Sequence, residues 1–161
     1  FCNGINVADL INLKFSDIQN GEISFIREKT KDRTRDTKRI YAPITPEMQS
    51  IIEKWGNNPR KSIYIFPFMK AGDDAWEHEK KKKNLTKHIN DRMKVIGEKL
   101  NIGMITTYVA RHTYATVLRN EGVPVSIISP MLGHTSITTT EIYLADLESE
   151  NRARNASLLS F

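Results

Sequence analysis

Residues 110–143 read ARHTYATVLRNEGVPVSIISPMLGHTSITTTEIY, and the order of helix and turn signals in this stretch decides the fold. After Thr106-Thr107 a helix is expected over 108–121, closed by Gly122. Pro124 opens a short helix that runs to about Met131. Gly133-His134 forms a turn, and Ser136 caps a further helix through about Ala145. Tyr108 and Arg111 are three apart on the first of these helices and share a face. His112 points about a quarter-turn away from Arg111 and is read as structural.

Working outward, residues 75–100 fit a long helix whose buried stripe is Leu85, Ile89, Arg92/Met93, Ile96 and Leu100, with lysines 80–83 solvated near its start. Thr45-Pro46-Glu47 is a helix start, followed by Met48, Ile51, Ile52 and Trp55 at one-face spacing and by Gly56 as the stop. Residues 57–73 look irregular apart from the apolar run 63–68, and Trp55 and Trp76 read as packing residues. Asn20-Gly21 is a turn signal between β-prone runs at 15–19 and 22–27, and a third run follows at 37–43. The charged stretch 28–36 is then a hairpin loop. Val7, Leu10 and Ile11 mark the end of a helix over 5–13. The sum is an α+β domain, mostly helical, with a small three-stranded antiparallel sheet.

Net charge is +5 and the isoelectric point is near 9.3, which permits nucleic acid as a partner. Residues 27–39 hold seven Lys/Arg against three acids, and residues 80–94 hold seven against Asp91 alone. No apolar run approaches the ~18 residues of a membrane span, so no membrane partner is expected. Cys2 is the one cysteine, which points to a reducing cytoplasm. His78 and His88 lie in lysine-rich sequence without metal-ligand spacing, and there is no phosphate-cradling glycine loop. The chain opens on Phe1-Cys2-Asn3-Gly4, already inside an apolar pattern. It is expected to be one domain, 1–161, and a fragment with a further domain upstream.

Arg111-His112, then Leu132-Gly133-His134, then Tyr143 nine residues after His134 form an ordered set. This set resembles the C-terminal signature of the tyrosine recombinase (phage integrase) family, His-x-x-Arg, Leu-Gly-His and Tyr. Upstream, FCNGINVADLINLKFSDI resembles the family's first box, and the basic hairpin resembles the segment with the catalytic Lys, for which Lys29 is best placed. The resemblance implies the catalytic fold of that family and no cofactor. It also implies cleavage and rejoining of DNA through a 3′-phosphotyrosyl link. Tyr143 would be the nucleophile, Arg111 a fork of donors to phosphate oxygens, His134 a hydrogen-bond or proton-transfer group, and Lys29 the acid for the leaving 5′-oxygen. Implied partners are double-stranded DNA with specific sites, a homo-tetramer on two such sites and accessory DNA-bending proteins. The implied setting is a bacterial mobile element acting at the nucleoid. The segment after Tyr143, with Leu147, Leu158, Leu159 and Phe161, would dock on a neighbouring subunit.

Two positions depart from the pattern. Asn6 stands where the resemblance implies an arginine, and Tyr108 where it implies a histidine. A phenol still donates to phosphate but is a poor base near neutral pH. For the missing guanidinium three sources are open, in this order: an arginine upstream of Phe1; one of Arg27, Arg33, Arg35 or Arg39; or none, with activity weak or lost. The rival class is a helix-turn-helix module over residues 114–142, or a recombinase-like domain without catalysis.

Overall fold

The computed structural model describes residues 2–29, 38–142 and 144–145. The expected hairpin tip with Arg33 and Arg35, the nucleophile candidate Tyr143 and the tail with Leu147 to Phe161 lie outside the described residues.

The chain begins with a tight turn, Cys2–Gly4, in which Cys2, Asn3 and Gly4 all take positive φ, at 49°, 51° and 61°. Left-handed backbone costs roughly 1–2 kcal/mol for a residue with a side chain. Asn3 offsets this with two buried hydrogen bonds: its Nδ2 donates to the Tyr41 carbonyl at 2.8 Å, and its Oδ1 accepts from the Tyr114 hydroxyl at 2.9 Å. One short turn thereby ties a strand to a distant helix. Helix α1 (Val7–Leu10) follows, burying Asp9 and, just beyond it, Ile11.

The sheet is antiparallel with order β1-β2-β3, where β1 is Ile18–Gln19, β2 is Glu22–Ile26 and β3 is Arg39–Pro43. Asn20 and Gly21 both have positive φ, 51° and 78°, the mirror-image turn that a two-residue hairpin with right-handed strand twist requires. The register sets Ile23 opposite Ala42 and Phe25 opposite Ile40, all buried. The expected first strand is shorter than the 15–19 run. Phe15–Asp17 is a 3-10 turn, because the Phe15 N–H donates to the Ile63 carbonyl and the Asp17 carboxylate accepts from the Lys14 N–H. The apolar run after residue 62 thus pairs with residues 13–15 through an isolated bridge at Lys14 and Tyr64.

Helix α2 (Pro46–Trp55) starts as expected, with the Thr45 hydroxyl accepting from the Met48 N–H. Its stripe is only half covered: Met48 is buried, whereas Trp55 is exposed with Lys54 over its ring. Trp76 is likewise exposed, under Lys80. Neither tryptophan is therefore a core packing residue. Helix α3 (Ala75–Leu100) is capped by Asp74 and Glu77 acting reciprocally. Lys80 and Lys83 are exposed as expected, but Lys81 and Lys82 are half-buried in ion pairs with Asp73 and Glu79.

The far end of α3 turns a different face inward than its apolar residues suggest. Ile96 and Leu100 are exposed, and Gly97 is the buried position. After Asn101, at φ 52°, the chain doubles back so closely that a Cβ on Gly97 would lie 2.1 Å from the Gly103 carbonyl oxygen. Helix α4 (Thr107–Asn120) is capped by the Thr106 hydroxyl and packs on α3, on the Cys2–Gly4 turn and on α5 (Val125–Met131). Residues 137–142 and 144–145 are helical and form α6. Ala115, Ile128, Leu132 and Leu144 close a core between α4, α5 and α6. A second core, with Leu13, Ile23, Phe25, Ile40, Met48 and Ile65, lies between the sheet and α2.

Candidate active site

Arg111 leaves α4 on the face that meets the Cys2–Gly4 turn, and it is 5% exposed. Its Nη1 donates to the Gly4 carbonyl at 2.8 Å and its Nη2 to the Leu132 carbonyl. A guanidinium gripped at both terminal nitrogens cannot swing, so its direction is fixed by the backbone. Gly4 is needed for this approach: a Cβ there would sit 3.1 Å from Arg111 Cγ, at a φ that L side chains rarely adopt.

His134 follows Gly133, whose φ of 65° makes the turn out of α5. The imidazole is placed from both ends. Its Nε2 is 3.4 Å from Arg111 Nη2, and its Nδ1 is 2.9 Å from the hydroxyl of Thr140, a fully buried residue of α6. Arginine has only donors, so the consistent assignment makes Nε2 the acceptor and Nδ1–H the donor to Thr140. Burial, and then the charges of Arg111, Arg27 and Lys29, push the imidazole down to about 4, so His134 is neutral near pH 7.

These side chains open into one cleft of about 470 Å³, lined by Asn6, Arg27, Lys29, Tyr108, Arg111, Gly133, His134, Thr135 and Thr139. Four of the expected site residues, Arg111, His134, Lys29 and Tyr108, therefore line a common space. Lys29 and Tyr108 are exposed at it, and the Tyr108 ring meets the His112 ring edge-on at 4.0 Å. Tyr143 is outside the described residues; Thr139, four positions earlier in the sequence, is in the lining. Among the described residues the lining carries no carboxylate. Asp9 is buried beside Arg27. Asp9 Oδ1 accepts the Glu28 N–H at 2.7 Å, and Oδ2 lies 3.9 Å from Arg27 Nε. Burial pushes the Asp9 carboxyl up, while the Glu28 N–H and the Arg27 and Arg111 charges pull the other way.

Sequence reasoning did not single out Asn3, Gly4, Asp9 or Thr140. Asn3-Gly4 is a dipeptide that tolerates positive φ, and Asp9 is an acid inside an apolar helical stripe, so both left a signal. A second cavity of about 500 Å³, between the start of the chain, α2 and α4, is lined mostly by apolar residues such as Ile51, Ile52, Phe66 and Phe68. It does not suit a charged substrate. Among the described residues no cluster of His, Cys, Asp or Glu is arranged to hold a metal, and no helix is long and apolar enough to cross a membrane.

The pattern of the phage integrase family matches residues 2–150. The chain belongs to this family. Its resemblance to individual integrase-family proteins runs along most of its length. It is 30% identical over 142 residues to the tyrosine recombinase XerA of Pyrococcus furiosus, covering 87% of this chain and 45% of that protein. It is 28% identical over 155 residues to XerD of Rickettsia bellii, covering 89% of this chain and 48% of that protein. The chain thus spans just under half the length of these relatives. In fold it is similar to the crystal structure of XerA recombinase, with a TM-score of 0.60 at 23% identity over 93% of this chain and 54% of that one. It is equally similar to the Tn1549 transposon integrase in complex with a circular intermediate DNA, with a TM-score of 0.61 at 17% identity over 88% of this chain and 50% of that one. The mostly helical architecture with a three-stranded antiparallel sheet is that of the family.

Proposed function

We propose that this chain is the catalytic domain of a site-specific DNA recombinase that breaks and rejoins strands through a 3′-phosphotyrosyl link on Tyr143. The observation that supports this most is the cleft. Side chains distant in sequence converge there, three of them cationic, with backbone-gripped Arg111 beside a neutral histidine and, among the described residues, no carboxylate in the lining. Such a space is built for an anion whose charge grows in the transition state.

In this reaction the Tyr143 oxygen bonds to phosphorus as the bond from phosphorus to the 5′-oxygen breaks. The phenolic proton passes to a base and the departing oxygen takes up a proton, leaving a phosphotyrosyl strand and a free 5′-hydroxyl. Attack by a partner strand's 5′-hydroxyl reverses each step and frees the tyrosine. The phosphate stays a diester throughout, so ATP is not consumed. Arg111, fixed by the Gly4 and Leu132 carbonyls, turns its charge and remaining N–H donors to the non-bridging oxygens without having to reorganise. Tyr108 donates a further hydrogen bond from the rim. Lys29, exposed at the cleft, supplies the proton for the 5′-oxygen. A phosphate seated among Arg27, Lys29 and Arg111 opposes their charges and moves His134 back toward its usual range, where it can donate or transfer a proton.

The same reading takes double-stranded DNA with specific recombination sites as substrate. It extends to integration or excision of a bacterial mobile element at the nucleoid, by a homo-tetramer assisted by DNA-bending proteins. In the complete protein, an upstream DNA-clamping domain would accompany the catalytic one. A DNA duplex nicked beside the cut site tests the chemistry, because the short released strand diffuses away and traps the covalent adduct. Wild type should form the adduct and Tyr143→Phe should not, while Arg111→Ala should slow it by roughly 10²–10³-fold. An unchanged rate in Arg111→Ala overturns the site assignment. No adduct from wild type leaves a DNA-binding module without catalysis.

A further inference from the structure

The turn Leu132-Gly133 holds two arginines on consecutive carbonyls. Leu132 accepts from Arg111 Nη2, and Gly133 accepts from Arg27 Nη1 at 3.3 Å. Arg27 sits just past the end of β2, far in sequence from α4, yet it lines the same cleft with its side chain only 11% exposed. Two further features hold it there. Asp9 grips its arm twice, through the neighbouring Glu28 N–H and through the approach of Oδ2 to Arg27 Nε at 3.9 Å. Gly133 leaves room for its stem, since a Cβ at that position would lie 2.5 Å from Arg27 Cδ.

Phosphoryl transfer places negative charge on two non-bridging oxygens, and positioned cations are the main means of stabilising it. Asn6, also in the lining, is neutral and offers no guanidinium. Arg39 faces a different cleft, beside Asp17 and Tyr64, and is not in the lining of this one. We propose that Arg27 is the second guanidinium of the reaction, opposing charge on a non-bridging oxygen of the scissile phosphate alongside Arg111. Asp9 and Gly133 are positioning residues for it. The tight register between the sheet and the turn after α5 then has a chemical purpose: it brings a strand-borne arginine and a helix-borne arginine to one phosphorus. This inference rests on the recombinase reading given above.

The test uses the complete protein and two nicked duplexes, one with an ordinary scissile phosphate and one with a methylphosphonate there, in which an uncharged methyl replaces one non-bridging oxygen. Adduct formation is followed in single turnover for wild type, Arg27→Ala and Arg27→Lys, with folding checked by circular dichroism. On phosphate, Arg27→Ala should be slower than wild type by roughly 10²–10³-fold, and on at least one methylphosphonate diastereomer by less than about tenfold. Arg27→Lys, which keeps the charge and loses the fork, should fall between them on phosphate and carries the comparison if the alanine variant does not fold. Equal loss on both substrates, or no loss on either, overturns the role of Arg27 while leaving the recombinase reading intact. Absence of any wild-type adduct overturns that reading and this inference with it.

Discussion

At the scale of single residues, the cleft runs on the contrast between a group that cannot lose its charge and one that is denied it. Arg111 stays protonated at any pH the protein meets, and its grip on the Gly4 and Leu132 carbonyls keeps that charge 3.4 Å from the His134 ring. Burial first, and then this charge with those of Arg27 and Lys29, hold the imidazole at about 4, against an unfolded value near ~6.5. Because the folded value is the lower one, neutral His134 contributes stability that is complete above about pH 6.5 and is lost as the pH falls toward 4. Melting temperatures of wild type and His134→Gln should therefore converge, or cross, as pH is lowered through that window. The raised Asp9 carboxyl is common to both proteins and drops out of the comparison. Parallel curves would mean that His134 is neither buried nor set among the cations as described. Thr140 gives a second check at this scale. Thr140→Val strips the partner from a buried Nδ1 and should cost about 1–3 kcal/mol in urea unfolding, whereas Thr140→Ser keeps the hydroxyl and should cost less.

At the scale of elements, Gly97 sets helix propensity against steric fit. Alanine is the better helix former by about 1 kcal/mol, but its Cβ would meet the Gly103 carbonyl at 2.1 Å, and backbone cannot swing aside as a side-chain tip can. Overpacking of this kind costs roughly 1–3 kcal/mol, so Gly97→Ala should lower stability while the exposed control Lys99→Ala should not. A stabilised Gly97→Ala would show that the return of the chain over α3 is loose. The same glycine marks where sequence reading stops. Caps at Thr45, Asp74 and Thr106 and the Asn20-Gly21 turn act within a few residues, and the helices and hairpin they bound stand where the local pattern puts them. Apolar periodicity, however, registers side chains, and the inward face of α3 at its far end is a bare backbone that no hydrophobicity pattern marks. The strand expected over 15–19 is cut to Ile18–Gln19 for a related reason: the Phe15 N–H is taken by Ile63, a partner almost fifty residues away. In the cleft, Arg111, His134, Tyr108 and Lys29 were legible because their chemistry is carried by residue type and order. The carbonyls of Gly4, Leu132 and Gly133 were not, since every residue carries one and only the fold selects which are used.

At the scale of the whole molecule, a net charge of +5 matters less than which cations are already answered. The lysines at the start of α3 look alike in sequence, yet Lys81 faces Asp73 at 2.5 Å and Lys82 faces Glu79, whereas Lys87, two turns from the cap pairs, is exposed. A lysine that contacts phosphate releases a counterion from DNA on binding, and each such contact adds about 0.9 to the slope of log K against log salt. A lysine held by its own carboxylate brings little to that count, because the acid repels the backbone as much as the ammonium attracts it. If α3 tracks the DNA backbone, Lys87→Gln should lower the slope by close to ~0.9, and Lys81→Gln by less than half as much. Binding titrations of the complete protein from low to moderate salt would read both slopes. Equal reductions from the two variants would mean that the Lys81–Asp73 pair opens on DNA; no reduction from either would move the DNA path off α3 and onto the basic hairpin that joins β2 to β3.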